Sequence, residues 1–264
     1  MHAVKQDWGT MHVSHRAGNG TTLVFINSLG TDLRMWDKVC ALLPEDWSTL
    51  RMDKRGHGLS DNALADTHGG YGIPDLAGDV LAAMDDAGVH SSILVGCSIG
   101  GLIAQHVALM APDRVEGLVL SNTASTLGAA EGWLARIDAV RANGMAAMAD
   151  SILPRWFGPK MLADPNVALW RTLLSRTDQE GYIATCAAIA GTDITDRLPE
   201  ITQPALVLGG KHDMATPPEV VEMLAQNLPR ADLVVFEDSG HLPAIEVPEA
   251  FSEALVKFVE RISG

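Results

Sequence analysis

One serine in the chain has the sequence context of a catalytic nucleophile. Residues 96–101 read Gly-Cys-Ser-Ile-Gly-Gly, so that Ser98 lies between an apolar run and a helix-like stretch. A serine on such a strand-to-helix turn exposes its hydroxyl at a sheet edge, and the flanking glycines avoid clashes with the neighbouring strand and helix. The start of the helix also brings backbone N–H groups close to the hydroxyl. The pattern predicts nucleophilic catalysis by Ser98.

A serine nucleophile needs a base, and the base needs an acid that orients it. His241 follows the last strand-like run by a short loop, at the sheet edge where Ser98 is expected. Asp213 follows the preceding strand-like run, and Asp238, beside the loop of His241, is the second choice for the acid. An earlier strand can also supply the acid, but Asn122 stands there and cannot carry a negative charge. We therefore predict Ser98, Asp213 and His241 as catalytic residues.

An oxyanion hole needs two hydrogen-bond donors, one beside the nucleophile and one from the loop after an early strand. The backbone N–H groups of Ile99 and Leu29 fit these two positions. Gly30 lets the loop that carries Leu29 turn tightly.

The elements that must position these residues alternate along the chain. Short runs have apolar residues at consecutive positions, which is typical of parallel strands buried on both faces. The predicted strands cover residues 22–27, 48–52, 92–96, 117–121, 205–209 and 233–236. The predicted helices cover residues 36–43, 75–87, 102–110, 218–226 and 248–262. This alternation predicts an α/β fold with a mostly parallel sheet flanked by helices.

One segment interrupts this alternation. Residues 128–195 are rich in alanine and methionine and contain no convincing strand. We interpret them as a helical cap inserted into the sheet domain. The predicted organisation is a first part of the core at residues 1–127, the cap at 128–195 and a second part of the core at 196–264.

Charge and cysteine content argue against several classes of protein. The chain carries 33 acidic and 19 basic residues, a net charge of −14, which argues against binding to nucleic acid or to anionic lipid. Cys40, Cys97 and Cys186 are too few and too scattered for a disulfide framework or a cysteine metal site. His12 and His15 lack a third ligand at helical spacing. We expect no metal site and no organic cofactor.

The sequence also carries information about location. Residues 1–16 contain several charged and histidine residues and no apolar stretch of the signal-peptide kind. No apolar run approaches the roughly 18 residues that a membrane helix needs. We therefore expect a cytoplasmic protein without a membrane partner, and the sequence leaves any oligomeric partner open.

Several motifs together resemble those of the α/β-hydrolase superfamily, in the order expected for it. They are the stretches at residues 53–60, 96–101, 209–213 and 239–248. Within that superfamily the chain is similar to the 3-oxoadipate enol-lactonases. The similarity is most specific at residues 27–36, where Asn27 and Ser28 replace the commoner His-Gly, and it extends to residues 120–124 and 180–182. Cys97 and Ile99 depart from the commoner Leu or Met around the serine.

The resemblance implies an activity and a small-molecule partner. The substrate would be 3-oxoadipate enol-lactone, hydrolysed to 3-oxoadipate during bacterial degradation of aromatic acids. Arg34 or Arg136 could bind the free carboxylate of this lactone as a bidentate partner. Trp36 and Trp133 are candidate walls of the pocket.

Other functions keep the same motifs. A general carboxylesterase, or a C–C bond hydrolase of the same fold, would keep Ser98, Asp213 and His241 and change only the pocket. A lactone-binding receptor of the same fold would bind its ligand and report to a partner protein. An enzyme turns over, whereas a receptor stops after about one equivalent.

Overall fold

The computed structural model describes residues 2–62 and 70–264. Their centre is an eight-stranded sheet with the spatial order β1-β2-β4-β3-β5-β6-β7-β8. The strands are β1 (His2–Gln6), β2 (Gly9–Arg16), β3 (Thr22–Ile26), β4 (Ser48–Met52), β5 (Ser92–Cys97), β6 (Val115–Ser121), β7 (Ala205–Gly210) and β8 (Ala231–Phe236). All neighbours from β4 to β8 pair in parallel, and β2 is antiparallel to both β1 and β4. The mostly parallel sheet predicted from the sequence is therefore confirmed.

The helices lie between and after the strands. They are α1 (Asp37–Leu42), α2 (Ile73–Asp86), α3 (Ile99–Met110), α4 (Ala130–Trp156), α5 (Pro159–Leu162), α6 (Val167–Ser175), α7 (Gln179–Ala190), α8 (Pro218–Asn227), α9 (Pro243–Glu246) and α10 (Pro248–Ser263). Short 3₁₀ helices cover Leu33–Trp36, Pro112–Arg114 and Thr195–Glu200. Among the residues described, no helix is both long enough and apolar enough to cross a bilayer.

Two strands precede the first predicted one. In β2, Met11 and Val13 are buried, whereas the residues that alternate with them are partly exposed. Such alternation belongs to a strand with one covered face, unlike the continuous apolar runs of β3 and β5. Those central strands are buried on both faces because helices pack on either side of the sheet.

The segment between β6 and β7 contains α4 to α7 and no strand. Helix α4 is interrupted at Gly144, where the backbone is left-handed with φ of 74°. The largest contact within this segment is between α4 and α7. The boundaries at residues 128 and 195 stay a prediction.

The segment meets the sheet domain at two glycines. Gly181, in the first turn of α7, packs so closely on Gly56 that a Cβ at Gly181 would lie 2.4 Å from the Gly56 Cα. Neither glycine can accept a side chain without movement of a backbone. A side chain at either glycine would therefore push the loop after β4 away from the start of α7.

We expect Gly181→Ala to destabilise the protein by about 1–3 kcal/mol, because the added methyl group must push backbone apart. Gly78→Ala in α2 is the matched control, since a Cβ there meets nothing within 4 Å. That change should stabilise the protein by about 0.5–1 kcal/mol through helix propensity. Urea unfolding of both variants measures the difference. An equal effect of the two substitutions would contradict the close packing.

Candidate active site

Ser98 lies on a strained turn between β5 and α3. Its backbone has φ of 58° and ψ of −123°, in a region that residues with a side chain rarely adopt. A Cβ at Gly96 would lie 2.3 Å from the Gly100 carbonyl oxygen, and a Cβ at Gly100 would lie 2.0 Å from the Ile26 carbonyl oxygen. Only glycine therefore fits on either side of Ser98, as the sequence predicts.

Hydrogen bonds from the adjacent strand hold the turn. The Ser98 N–H donates to the Ser121 carbonyl at 2.9 Å, and the Thr123 hydroxyl donates to the Ser98 carbonyl at 2.6 Å. Both partners belong to β6 or to the residues directly after it. The strain at Ser98 persists because its backbone groups are bonded on both sides.

His241 and Asp213 meet at the same sheet edge. The His241 Nδ1 and the Asp213 Oδ2 are 2.8 Å apart, and both side chains are almost fully buried. This contact leaves Nε2 as the ring nitrogen available to the cavity. Asp213 follows β7 and His241 follows β8, so adjacent parallel strands deliver the pair.

Four further hydrogen bonds surround the Asp213 carboxylate. Asn122 Nδ2 donates to Oδ2 at 2.8 Å and the Thr216 hydroxyl donates to Oδ2 at 2.7 Å, while the Ala215 and Thr216 N–H groups donate to Oδ1. Burial alone would raise the pKa of Asp213, but His241, Asn122 and Thr216 outweigh it and hold the pKa below its ordinary value. The carboxylate is thus kept ionised beside the imidazole.

Asp238, the second choice for the acid, has a different environment. It is exposed in the loop after β8. The only carboxylate that contacts the His241 ring among the residues described is that of Asp213.

Two backbone N–H groups beside Ser98 are unused. Within the part of the chain that the structure describes, the N–H groups of Leu29 and Ile99 donate no hydrogen bond. Both residues are buried, Leu29 in the loop after β3 and Ile99 at the first position of α3. Buried N–H groups are rarely left unbonded, so free donors here are suited to an anion.

A cavity of about 310 Å³ lies at this edge of the sheet. Ser98, His241 and Leu29 line its floor on the sheet side. Its other walls come mainly from the segment between β6 and β7, with Trp133 and Tyr182 among the lining residues. The volume is at the small end of the range for ligand pockets, which suits a compact molecule.

Two arginines line this cavity. Arg136 contacts the Tyr182 hydroxyl at 3.3 Å and lies 5.4 Å from the ring centre of Trp133, and Arg155 lines the wall nearby. Neither guanidinium forms an ion pair with a carboxylate in residues 2–62 or 70–264. The cavity thus presents two cations that are not neutralised by any carboxylate among the described residues.

The structure corrects two of the predicted substrate contacts. Arg34 is bonded through its guanidinium to Asp32 and lines a separate groove beside Trp170 and Arg176. The Asp32 carboxylate, two residues earlier in the sequence, holds the Arg34 guanidinium at that groove. Trp36 is fully buried, with its ring 5.2 Å from Phe25 in the core of the sheet domain.

Sequence reasoning missed three residues around the site. The sequence identifies Asn122 only as a neutral residue at the alternative position of the acid, yet its amide donates a hydrogen bond to Asp213. Thr216 could have been found as a hydroxyl three residues after the predicted acid, where a turn returns it to the carboxylate. Nothing in the sequence around Arg155 except its positive charge indicates that it lines the cavity.

The residues described contain no group of three or more histidine, cysteine, aspartate or glutamate side chains arranged to hold a metal ion. His12, considered with His15 in the sequence, instead contacts Asp53 at 2.7 Å.

The fold and this constellation are those of a hydrolase of the α/β type. Residues 21–248 match the family model described as the alpha/beta hydrolase fold. The chain belongs to this family.

Particular relatives refine this result. The chain is 31% identical to 3-oxoadipate enol-lactonase 2 of Acinetobacter baylyi, over 98% of this chain and 96% of the relative. Enol-lactonase 1 of the same organism is 32% identical over 92% and 90% of the two chains. The crystal structure of the enol-lactonase from Burkholderia xenovorans superposes with a TM-score of 0.90 at 38% identity, covering 96% of this chain and 98% of that one.

We expect Asp213→Asn to lower the turnover of a p-nitrophenyl ester by about 10²–10⁴-fold, because an amide cannot stabilise the imidazolium and favours the wrong tautomer. Asp238→Asn is the matched control and should retain nearly full activity. Initial rates of both purified variants measure this. A larger loss in Asp238→Asn would show that the acid has been misassigned.

Proposed function

We propose that this hydrolase opens 3-oxoadipate enol-lactone to 3-oxoadipate through an acyl-enzyme on Ser98. The observation that carries the proposal is a small cavity that combines Ser98 and His241 with two arginines, neither of which forms an ion pair within residues 2–62 and 70–264. The relatives named enol-lactonases, similar over nearly the whole chain, support the same substrate. We place the reaction in the cytoplasmic breakdown of aromatic acids.

The first half-reaction begins with proton transfer from the Ser98 hydroxyl to His241 Nε2. The Ser98 oxygen then bonds to the lactone carbonyl carbon, and the carbonyl oxygen becomes an oxyanion that the N–H groups of Leu29 and Ile99 stabilise. Collapse breaks the ring C–O bond and expels an enolate. His241 returns its proton to this leaving group, which becomes the ketone of the product.

The second half-reaction regenerates the enzyme. His241 removes a proton from water, and the hydroxide attacks the acyl-enzyme carbonyl. The tetrahedral intermediate expels the Ser98 oxygen, which regains its proton from His241. Asp213 stabilises the imidazolium in both halves. These steps require neither a metal nor an organic cofactor.

The carboxylate of the substrate needs a cation, because a net charge of −14 gives the protein a field that repels anions. Arg136 meets this need best, since the Trp133 ring and the Tyr182 hydroxyl orient its guanidinium at the cavity. A guanidinium binds a carboxylate through two parallel hydrogen bonds. Arg155 lies on the same wall and adds positive charge.

A spectrophotometric hydrolysis screen tests the substrate. It compares 3-oxoadipate enol-lactone with short p-nitrophenyl esters and saturated lactones. We expect the enol-lactone to have the highest kcat/KM. Fast hydrolysis of neutral esters with a slow enol-lactone would favour a general carboxylesterase, and a single burst of one equivalent without turnover would favour a lactone-binding receptor.

We expect Ser98→Ala to lose turnover while its fold and thermal stability remain, because one small hydroxyl contributes little packing. The measurement is the enol-lactone rate beside a circular dichroism melt. Mass spectrometry after a rapid acid quench should detect acylated protein in the wild type alone. Retention of more than about 1% of the wild-type rate would exclude Ser98 as the nucleophile.

We expect Arg136→Met to raise KM for the enol-lactone at least tenfold, since the carboxylate loses a bidentate charged partner. Hydrolysis of p-nitrophenyl acetate should change little because that ester carries no charge. Arg34→Met is the matched control, as it removes the same charge from an arginine that is already paired with Asp32. Equal effects of the two substitutions on KM would refute the assignment.

A further inference from the structure

A buried lysine lies behind the loop of the proposed oxyanion hole. Lys54 is the second residue after the end of β4 and is only 2% exposed. No carboxylate among residues 2–62 and 70–264 forms an ion pair with it. An unpaired buried ammonium group is costly, so its retention needs a reason other than stability.

The ammonium group has one specific contact. Lys54 Nζ donates to the Ser28 carbonyl oxygen at 2.8 Å. The same oxygen accepts the Thr31 hydroxyl at 2.9 Å and the Thr31 N–H at 3.3 Å. This carbonyl and the N–H of Leu29 belong to one peptide group. Lys54 is therefore bonded to one end of the peptide whose other end is a proposed oxyanion donor.

We propose that Lys54 is a positioning residue of the oxyanion hole. It fixes the Ser28–Leu29 peptide with its N–H toward the cavity and polarises that N–H, so that the oxyanion is bound more strongly than the neutral carbonyl of the substrate. The inference rests on the proposed function, in which Leu29 is a donor. A planar peptide transmits orientation from its C=O to its N–H, and hydrogen bonds in series strengthen one another.

A charge at this position discriminates between ground state and transition state. The negative charge of the oxyanion exists only after Ser98 has attacked. A fixed positive charge behind the donor, in surroundings of low dielectric constant, interacts with that oxyanion far more than with the neutral ester. Removal of this charge should therefore lower kcat and leave KM nearly unchanged.

The surroundings of Lys54 determine its titration. Burial lowers its pKa to about 7, although the carboxylates of Asp53 and Asp32 oppose the decrease. The Cys97 thiol stays neutral because burial raises its pKa, and the imidazole of His57 stays neutral because burial and Lys54 lower its pKa. The ammonium is thus present below neutral pH and is lost as the pH rises above it.

Lys54→Met tests the inference, since methionine has a similar length and no charge. With p-nitrophenyl acetate as probe, we expect kcat to fall about 10–100-fold and KM to change less than twofold. The melting temperature should stay equal or rise, because a buried charge is removed. Lys5→Met, which removes the same charge from the exposed surface of β1, should behave as wild type.

A boronic acid supplies a readout that a purely structural lysine would not move. Phenylboronic acid forms a tetrahedral adduct with a nucleophilic serine and presents an oxygen to the oxyanion hole. Its inhibition constant in Lys54→Met should rise by about the same factor as kcat falls. A kcat and an inhibition constant both within twofold of wild type would overturn the inference. A lower melting temperature with unchanged kcat would do so as well, since it would show a structural role.

The pH profile gives an independent measurement. Wild-type kcat should decline above neutral pH as Lys54 loses its proton, and Lys54→Met should lack this decline. Superimposable profiles would overturn the inference. Lys54→Gln keeps a donor without the charge, so it should retain an intermediate kcat, and it replaces the methionine variant if that variant does not fold.

These measurements separate the inference from the proposed substrate. They use a neutral ester, so a wild-type enzyme that ignores the enol-lactone but hydrolyses p-nitrophenyl acetate would refute only the substrate. Conversely, an active enol-lactonase whose kcat is indifferent to Lys54→Met would refute only the role of Lys54.

Discussion

The backbone at Ser98 is the constraint on which the rest of the structure depends. A left-handed residue directly after β5 requires α3 to start within van der Waals contact of β3, so close that no Cβ fits at Gly96 or Gly100. This turn costs of order 1–3 kcal/mol, and the bonds from Ser121 and Thr123 offset it. Because the central strands are parallel and buried on both faces, their carboxyl ends lie at one edge. The same packing that forces the turn therefore gathers the polar groups there.

The polar groups at that edge of the sheet are arranged around charged side chains. Asp213 is ionised because donors surround it, and it faces the imidazole of His241. On the same floor of the cavity, the loop after β3 presents the N–H of Leu29, and the ammonium of Lys54 is bonded to the carbonyl of the same peptide. Positive and negative groups thus lie around one small cavity. Such preorganisation spares the protein the cost of reorienting dipoles when charge develops.

Much of this arrangement can be predicted from sequence because it depends on chain order. The runs of consecutive apolar residues predict parallel strands, and Ser98, Asp213 and His241 each follow one of them, so their convergence depends only on the shared sheet edge. Arg34 and Trp36 could not be assigned in this way. Which face of a short 3₁₀ helix points to a cavity depends on packing with distant residues, here Asp32 for one and the aromatic core for the other. Lys54 and Arg155 could not be assigned to the site from the sequence either, since the residues around them come from separate parts of the chain.

The break at Gly144 divides α4 into two pieces, and both contribute residues to the cavity. The piece before it carries Trp133 and Arg136, which line the cavity. The piece after it ends at Trp156, whose carbonyl accepts the His241 N–H at 2.8 Å. The second piece also carries Arg155 on the cavity wall, and Trp156 itself lines the cavity. Substitutions in the first piece can therefore reshape the cavity without altering the residue bonded to His241, whereas substitutions at the end of the second piece change the cavity and that anchor together.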